Sequence, residues 1–394
     1  MNNIYLYGPP GSGKTTVGHL FAEQQKRLFI DLDREIERTA GRSIPEIFAD
    51  GESVFRELEL KVLRQVSNCK RCVIALGGGA LLNSEARRIA ESTGRVALLT
   101  CDRKMLLERI RYSQNRPLLA GDAEKRLTDL LTARAEHYAS FKVKFQRFAV
   151  IGHPVAHSLS PVMHAANFAA RELAATYEKF DVEPGHVASF LAAKKREGFT
   201  GINVTIPHKV ETSAALDRTD ESVRLCGACN TVKFEADGTV SGFNTDMGAF
   251  ADILVAHNCN PRGKNVFIFG RGGAGKAIAA AAKRIGAGTV TAVGRGSWDR
   301  EAAYADIIVN ATPVGLKESD TSLLPASVFR RGQFVLDLIP TRAFPPTAAA
   351  ARQAGADAVG GLEFLVAQGA KSFEIWTGLQ ADRETMYASL VSRA

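Results

Sequence analysis

Apolar runs recur along this chain. Each is closed by a glycine-rich or polar turn and followed by a stretch with helical spacing. In the first part the runs predict strands at Ile4–Tyr7, Leu28–Asp31, Val73–Leu76 and Val96–Thr100. In the second they predict strands at Phe148–Ile151, Thr176–Val182, Gly201–Thr205, Val266–Gly270, Thr289–Gly294, Asp306–Ala311 and Phe334–Leu338. Apolar positions three and four apart predict helices over Thr15–Gln25, Val162–Leu173, His186–Arg196 and Lys276–Ile285. Strand, turn and helix in alternation imply α/β folding with mostly parallel sheets. No Pro/Gly/Ser linker divides the chain. The best boundary lies near Lys142–Arg147, where a basic helix over Lys125–Tyr138 ends and a new strand-loop-helix unit begins at Phe148.

With 394 residues the chain is long enough for two or three domains. Hydrophobic residues make up 45% and charged ones 23%, an ordinary globular composition. No apolar run approaches the roughly 18 residues needed to span a bilayer. Met1-Asn2-Asn3 leads straight into apolar residues without a basic region or cleavage site, so a cytoplasmic protein without membrane partners is expected. The net charge of +8 is spread along the chain. It suits small anions, and a nucleic-acid surface would need it clustered on one face. Six cysteines include the pairs Cys69/Cys72 and Cys226/Cys229, too far apart in sequence for a zinc ribbon, so reduced structural thiols are expected.

Gly8-Pro9-Pro10-Gly11-Ser12-Gly13-Lys14-Thr15 fills every fixed position of G-x-x-x-x-G-K-S/T, between a strand and a helix. Its glycines let backbone N–H groups face phosphate oxygens, with Gly11, Ser12, Gly13 and Thr16 as candidate contacts. Lys14 reaches the β- and γ-phosphates of ATP, and Thr15 offers a hydroxyl to Mg2+. Asp31 and Asp33 close the next strand. Alternation there points both carboxylates the same way, one for Mg2+ and one for an acceptor hydroxyl. The plainer alternative is a pair of helix-capping acids. Gly77-Gly78-Gly79 brings backbone N–H groups to a ligand, and Arg56, Arg116 and Arg134 are candidate anion partners.

These motifs, with G-R-S-I-P-E-I-F from Gly41, F-R-E-L-E from Phe55, L-G-G-G-A from Leu76 and N-R-P-L-L-A-G from Asn115, make residues 1 to about 140 resemble shikimate kinase. The resemblance implies that Asp33, Arg56, Gly78 and Arg134 hold shikimate. It also implies that Arg116, on a lid over ATP, neutralises the transferred phosphoryl charge. The family continues with a strand, an adenine-contacting loop and a terminal helix. Here about a dozen residues follow Arg134 before the next strand; Phe141–Phe145 can supply the strand, and the loop and helix are missing.

Gly270-Arg271-Gly272-Gly273-Ala274-Gly275 is G-x-G-x-x-G between a strand and a helix, a fingerprint for dinucleotide pyrophosphate. Where an NAD site would carry Asp or Glu about 20 residues further on, the chain reads Val293-Gly294-Arg295, and Arg295 favours the 2′-phosphate of NADP(H). Upstream lie His157-Ser158-Leu159-Ser160-Pro161, Asn203-Val204-Thr205-Ile206-Pro207-His208-Lys209, Asn230-Thr231 and Asn244-Thr245-Asp246. Taken singly they are N-caps, turns and surface charges. Together, with G-A-C-N-T-V, N-A-T-P-V-G and F-L-V-A-Q-G-A, they make residues 148–394 resemble shikimate dehydrogenase. That resemblance implies Lys209 and Asp246 as the catalytic pair and Ser158, Ser160, Thr205, Asn230 and Gln368 as substrate contacts. Lys209 acts either as proton donor or as electrostatic partner. The chain departs from the family pattern at Gly294-Arg295-Gly296 and at Pro340, where a Tyr is usual.

The expected architecture is therefore a P-loop kinase domain with a parallel sheet over residues 1-145, then a two-lobed dehydrogenase over 146-394. Its α/β substrate lobe covers about 147-245 plus C-terminal helices about 370-394, and its Rossmann NADP lobe about 246-369. The function implied is reduction of 3-dehydroshikimate followed by MgATP-dependent phosphorylation of shikimate. The alternatives are a non-catalytic, regulatory N-terminal module and a nucleic-acid-stimulated ATPase. Partners are small molecules, with no nucleic acid expected; the sequence does not give the oligomeric state.

Overall fold

The computed structural model describes residues 2–111, 123–294, 296, 299–340 and 343–392. The chain divides into two compact units. One comprises Met1–Arg147 with Glu172–Thr176 and Ala192–Phe199, and the other comprises the remainder. Among the described residues no helix is long and apolar enough to cross a membrane.

The first unit is built on β1 (Asn3–Tyr7), β2 (Leu28–Asp31), β3 (Cys72–Ala75) and β4 (Gly94–Leu98), ordered β2-β3-β1-β4 and parallel throughout. Side chains alternate across the sheet. Tyr5 and Tyr7 enter one core with Leu32, Ile36, Leu63 and Tyr138, while Leu6 enters the opposite core with Val17, Phe21 and Val73. Both faces are covered, so β1 and β3 read as near-continuous apolar runs. The helix Lys14–Gln24 starts from Gly13, whose φ of 92° is left-handed and suits glycine. Phe141–Phe145 supplies only a bridge at Lys144 beside β4, with Leu98 bonded to the Val143 carbonyl and Phe145 N–H to the Leu98 carbonyl. The next strand begins at Gln146, too soon for a fuller strand to form. The basic helix is two helices, Ala123–Ala133 and Ala135–Ala139, broken at Arg134, whose φ and ψ are −104° and 5°.

The second unit carries two sheets. The first contains β5 (Gln146–Gly152), β6 (Ala175–Asp181), β7 (Gly201–Val204), β8 (Arg218–Thr219), β9 (Thr231–Phe234) and β10 (Val240–Phe243) in the order β6-β5-β7-β9-β10-β8. It is mixed, because β9 runs antiparallel to both neighbours. The second contains β11 (Asn265–Phe269), β12 (Thr289–Val293), β13 (Ile307–Asn310), β14 (Phe334–Asp337) and β15 (Asp357–Val359) in the order β12-β11-β13-β14-β15, all parallel. Val266 and Ile268 face one core with Phe250 and Ile278; Phe267 and Phe269 face the other with Ile308 and Val335. This is the doubly wound arrangement, with helices burying both faces of a parallel sheet. The helix Gly361–Thr377 serves both sheets: Phe364 and Ala367 join the Rossmann core, while Trp376 stacks on Phe148 at 4.8 Å and bonds the Val232 carbonyl.

Candidate active sites

Each unit holds a cleft at the C-terminal ends of its parallel strands. In the first unit a cavity of about 470 Å³ is lined by Gly11, Gly13, Lys14, Thr15 and Thr16 on one side. Asp31, Asp33, Arg56, Gly77–Gly79 and Arg134 line the other. Gly8, Gly11 and Gly13 all have positive φ, the left-handed backbone that lets the loop turn tightly before the helix, and within it the Ser12 N–H donates to the Pro9 carbonyl. Lys14 lies back over this loop and donates to the Gly8 and Pro9 carbonyls, each at 2.9 Å. Ser12 is buried behind the loop and is not among the lining residues.

The acids of Asp31-Leu32-Asp33 both reach the cavity, but not by strand alternation. Asp31 ends β2 and caps the helix Leu32–Ala40, accepting from the N–H groups of Asp33 and Arg34. Asp33 already lies in that helix's first turn, because the N-cap ends the extended chain one residue early. The other Asp31 oxygen accepts from the Thr15 hydroxyl at 2.7 Å. The capping alternative therefore holds for Asp31 without removing it from the cleft.

Arg56 pairs with Glu59 at 2.7 Å and Glu52 at 3.0 Å. Arg134 donates to the Gly78 carbonyl at 3.0 Å. An added Cβ on Gly79 would stand 2.9 Å from one Arg56 nitrogen and 3.3 Å from an Arg134 nitrogen, so a side chain there would displace both guanidiniums. Buried Glu59 escaped notice in the sequence. Its carboxyl is pushed up, first by desolvation, and its distance from Arg56 is the one signal that could have flagged it, a helical i,i+3 pair. Arg109, which lines the cleft and donates to the Gly11 carbonyl, carried no such signal. Arg116 lies outside the described residues.

In the second unit a cavity of about 370 Å³ is lined by Ser158, Ser160, Thr205, Lys209, Asp246, Ala274 and Gln368, with an apolar wall from Val155, Leu316, Ile339 and Phe364. Lys209 and Asp246, 37 residues apart, meet at 2.6 Å. The helix Thr245–Ala256, capped by the Asn244 side chain, fixes Asp246 in its first turn. The second Asp246 oxygen accepts from Asn230 at 2.8 Å, and Asn230 also accepts from the Thr245 N–H. Asn230 is not among the lining residues; its amide is spent holding Asp246 from behind. Pro340 lines the cavity, with Thr312 and Pro313 from the N-A-T-P stretch.

The dinucleotide loop abuts this pair. An added Cβ on Gly273 would lie 2.7 Å from Lys209 Cβ, and one on Gly275 would lie 1.9 Å from the Gly270 carbonyl oxygen. Gly270 has φ 116°, and Gly272, which precedes the helix Gly273–Arg284, faces open space. The loop is therefore tight where strand meets helix and open at the helix N-terminus, which fits a pyrophosphate. Arg295 lies outside the described residues. Arg271 bonds the Ala292 carbonyl on β12, beside Gly294 at the same edge.

Fold and sites define the class: one chain carrying a P-loop beside a pocket lined by Asp33, Arg56 and Arg134, and a Rossmann lobe beside a Lys–Asp pair. Comparison with known proteins narrows it. The shikimate kinase family matches residues 10–148, the shikimate dehydrogenase substrate binding domain 150–232, and the shikimate 5′-dehydrogenase C-terminal domain 361–391. The NADP(+) shikimate dehydrogenase of Moorella thermoacetica is 36% identical over 261 residues, 59% of this chain and 88% of the relative. That of Methanocella arvoryzae is 34% identical over 264 residues, 61% of this chain and 97% of the relative. The crystal structure of shikimate 5-dehydrogenase from Thermus thermophilus in complex with NADP(H) and shikimate superposes with a TM-score of 0.58 at 34% identity, covering 62% of this chain and 98% of that one. A chorismate mutase/shikimate 5-dehydrogenase fusion from Clostridium acetobutylicum gives 0.56 at 28% identity, covering 62% and 96%. The chain belongs to the shikimate dehydrogenase family, and a shikimate kinase domain precedes its dehydrogenase domains.

Proposed function

We propose that this chain catalyses two consecutive reactions: 3-dehydroshikimate, NADPH and a proton give shikimate and NADP+, and shikimate and ATP then give shikimate 3-phosphate and ADP. The observation that carries the reading is the 2.6 Å Lys209–Asp246 contact, pressed against Gly273 of the dinucleotide loop in a cleft lined with hydroxyls. Bound NADPH supplies the hydride. Gly270, Gly272, Gly273, Ala274 and Gly275 hold its pyrophosphate, and Arg295, aided by Arg271, attracts the 2′-phosphate. Ser158, Ser160, Thr205 and Gln368 bind the ring hydroxyls and carboxylate. Charge grows on the carbonyl oxygen as the ketone is reduced. Lys209 Nζ meets that charge, as donor or as fixed cation, and Asp246, held by Asn230, orients it.

In the other cleft Gly11, Ser12, Gly13 and Thr16 cradle the phosphates of ATP, and Lys14 leaves its loop carbonyls for the β- and γ-phosphates. Thr15 and Asp31, already bonded to each other, hold Mg2+, which neutralises phosphate charge. Arg56 and Arg134 take the carboxylate of shikimate, Gly78 and Asp33 orient its ring, and Asp33 accepts the 3-hydroxyl proton. Arg116 screens the transferred phosphoryl group. All six cysteines are free, which suits a reducing, cytoplasmic setting.

The test is time-resolved product analysis of the full chain with 3-dehydroshikimate, NADPH and MgATP together. Shikimate should appear first and shikimate 3-phosphate after it. Shikimate that accumulates without ADP would reduce the N-terminal unit to a binding module. NADPH left unoxidised would remove the dehydrogenase assignment.

A further inference from the structure

The Gly78 carbonyl oxygen faces three donors. Tyr138 Oη lies at 2.8 Å, an Arg134 nitrogen at 3.0 Å and Tyr7 Oη at 3.3 Å. A carbonyl oxygen has two lone pairs, so one donor is surplus. Arg134 lines the cleft, whereas Tyr7 and Tyr138 are buried and do not. Tyr7 is the last residue of β1, immediately before the phosphate loop, and is fully buried; its hydroxyl also meets His137 Nε2 at 3.0 Å and, having one proton, donates to Gly78 in the tautomer whose Nε2–H donates to it. Burial raises both phenols, Tyr7 the more strongly, so both remain protonated donors at neutral pH.

We infer that Tyr7 and Tyr138 are positioning residues that keep the Gly78 carbonyl hydrogen-bonded when Arg134 leaves it to grip the carboxylate of the incoming acid. This rests on the kinase reading given above. A guanidinium bonded to a neutral carbonyl gains by moving to a carboxylate, where the charge-assisted pair is stronger. If Arg134 were the carbonyl's sole partner, the move would leave a sheltered acceptor unsatisfied, and that loss would be subtracted from the affinity for the acid. With two phenols in place, the departing guanidinium strands nothing. Tyr7 also joins the phosphate loop to the acid pocket, since its backbone leads into Gly8 and its hydroxyl ends on Gly78.

Phenylalanine tests the idea, because it keeps the rings and removes the donors. Tyr7→Phe, Tyr138→Phe and the double variant are made in the full chain. ADP formation is measured with shikimate and with methyl shikimate, which lacks the carboxylate, as acceptors. Each single variant keeps one phenol and should change the KM for shikimate by less than about 1.5-fold, a small fraction of one hydrogen bond. The double variant should raise it roughly tenfold, more than the product of the singles. Kinetics with the ester, the KM for ATP and NADPH-dependent reduction should stay as in the wild type. A double variant equal to the product of the singles, or one that weakens acid and ester alike, overturns the inference. A wild-type chain that forms no shikimate-dependent ADP removes the kinase reading itself.

Discussion

Replacing Lys209 by Met keeps the stem that packs under Gly273 and removes the ammonium. At 2.6 Å and an effective dielectric near 20, the gross attraction to Asp246 is about 6 kcal/mol. Desolvation opposes most of this, since the side chains are 12% and 2% exposed. Truncating one partner of a buried pair costs about 3–5 kcal/mol. The lower end applies here, because Asn230 still satisfies one carboxylate oxygen. Lys209→Met should therefore lose about 3 kcal/mol of stability in urea unfolding. It should also lose about a thousandfold in kcat for 3-dehydroshikimate reduction, followed through NADPH absorbance, because no cation meets the growing oxyanion. Adding Asp246→Asn removes the stranded charge and should restore most of the stability but none of the activity. Coupling below about 0.5 kcal/mol in this double-mutant cycle, or a Lys209→Met enzyme within about tenfold of wild-type kcat, would refute the reasoning.

Gly275→Ala would place a methyl 1.9 Å from the Gly270 carbonyl oxygen, so it should raise the KM for NADPH more than about tenfold and leave ADP formation intact; an unchanged KM would show the turn is not the dinucleotide site. Asp31→Asn should weaken Mg2+ dependence of ADP formation by about tenfold or more while the Leu32–Ala40 helix persists, since Asn caps as well as Asp; an unshifted Mg2+ titration would remove Asp31 from the metal site. His164 is fully buried and stacks on Tyr177 at 4.4 Å, and burial lowers its pKa to about 3. Its unfolded value lies near 6.5, so the unfolded chain binds more protons below that pH. Stability from this residue is complete above pH 6.5 and falls by about 1.4 kcal/mol per unit toward pH 3. Melting of His164→Phe should depend less steeply on pH between 6.5 and 4.5 than wild type; parallel curves would contradict it.

Much of both sites was legible because their chemistry is local. The loop Gly8–Thr15 and the fingerprint Gly270–Gly275 need glycines at fixed spacing between a strand and a helix, and that spacing is written in the chain. The parallel sheets were legible too, because strands buried on both faces read as unbroken apolar runs. The helix Thr245–Ala256, and the part of Gly361–Thr377 that precedes the C-terminal helices expected from about 370, escaped the helical pattern. Thr245–Ala256 is apolar along most of its length and buries residues on several sides, so it shows no polar stripe. The two-residue β8 is too short to carry any period.

The order of amino acids was enough to define the backbone cradles and the identity of the groups around them, since both depend on neighbours a few residues apart. Which of those groups meet was settled only in the folded chain. Folding set Asn230 behind Asp246 rather than in the cleft, turned Asp33 into a helix, and gathered Tyr7, Tyr138 and Arg134 on one carbonyl. Those pairings join residues up to 71 positions apart in sequence. Their energies come from burial and from hydrogen bonds completed across elements, which no local pattern encodes.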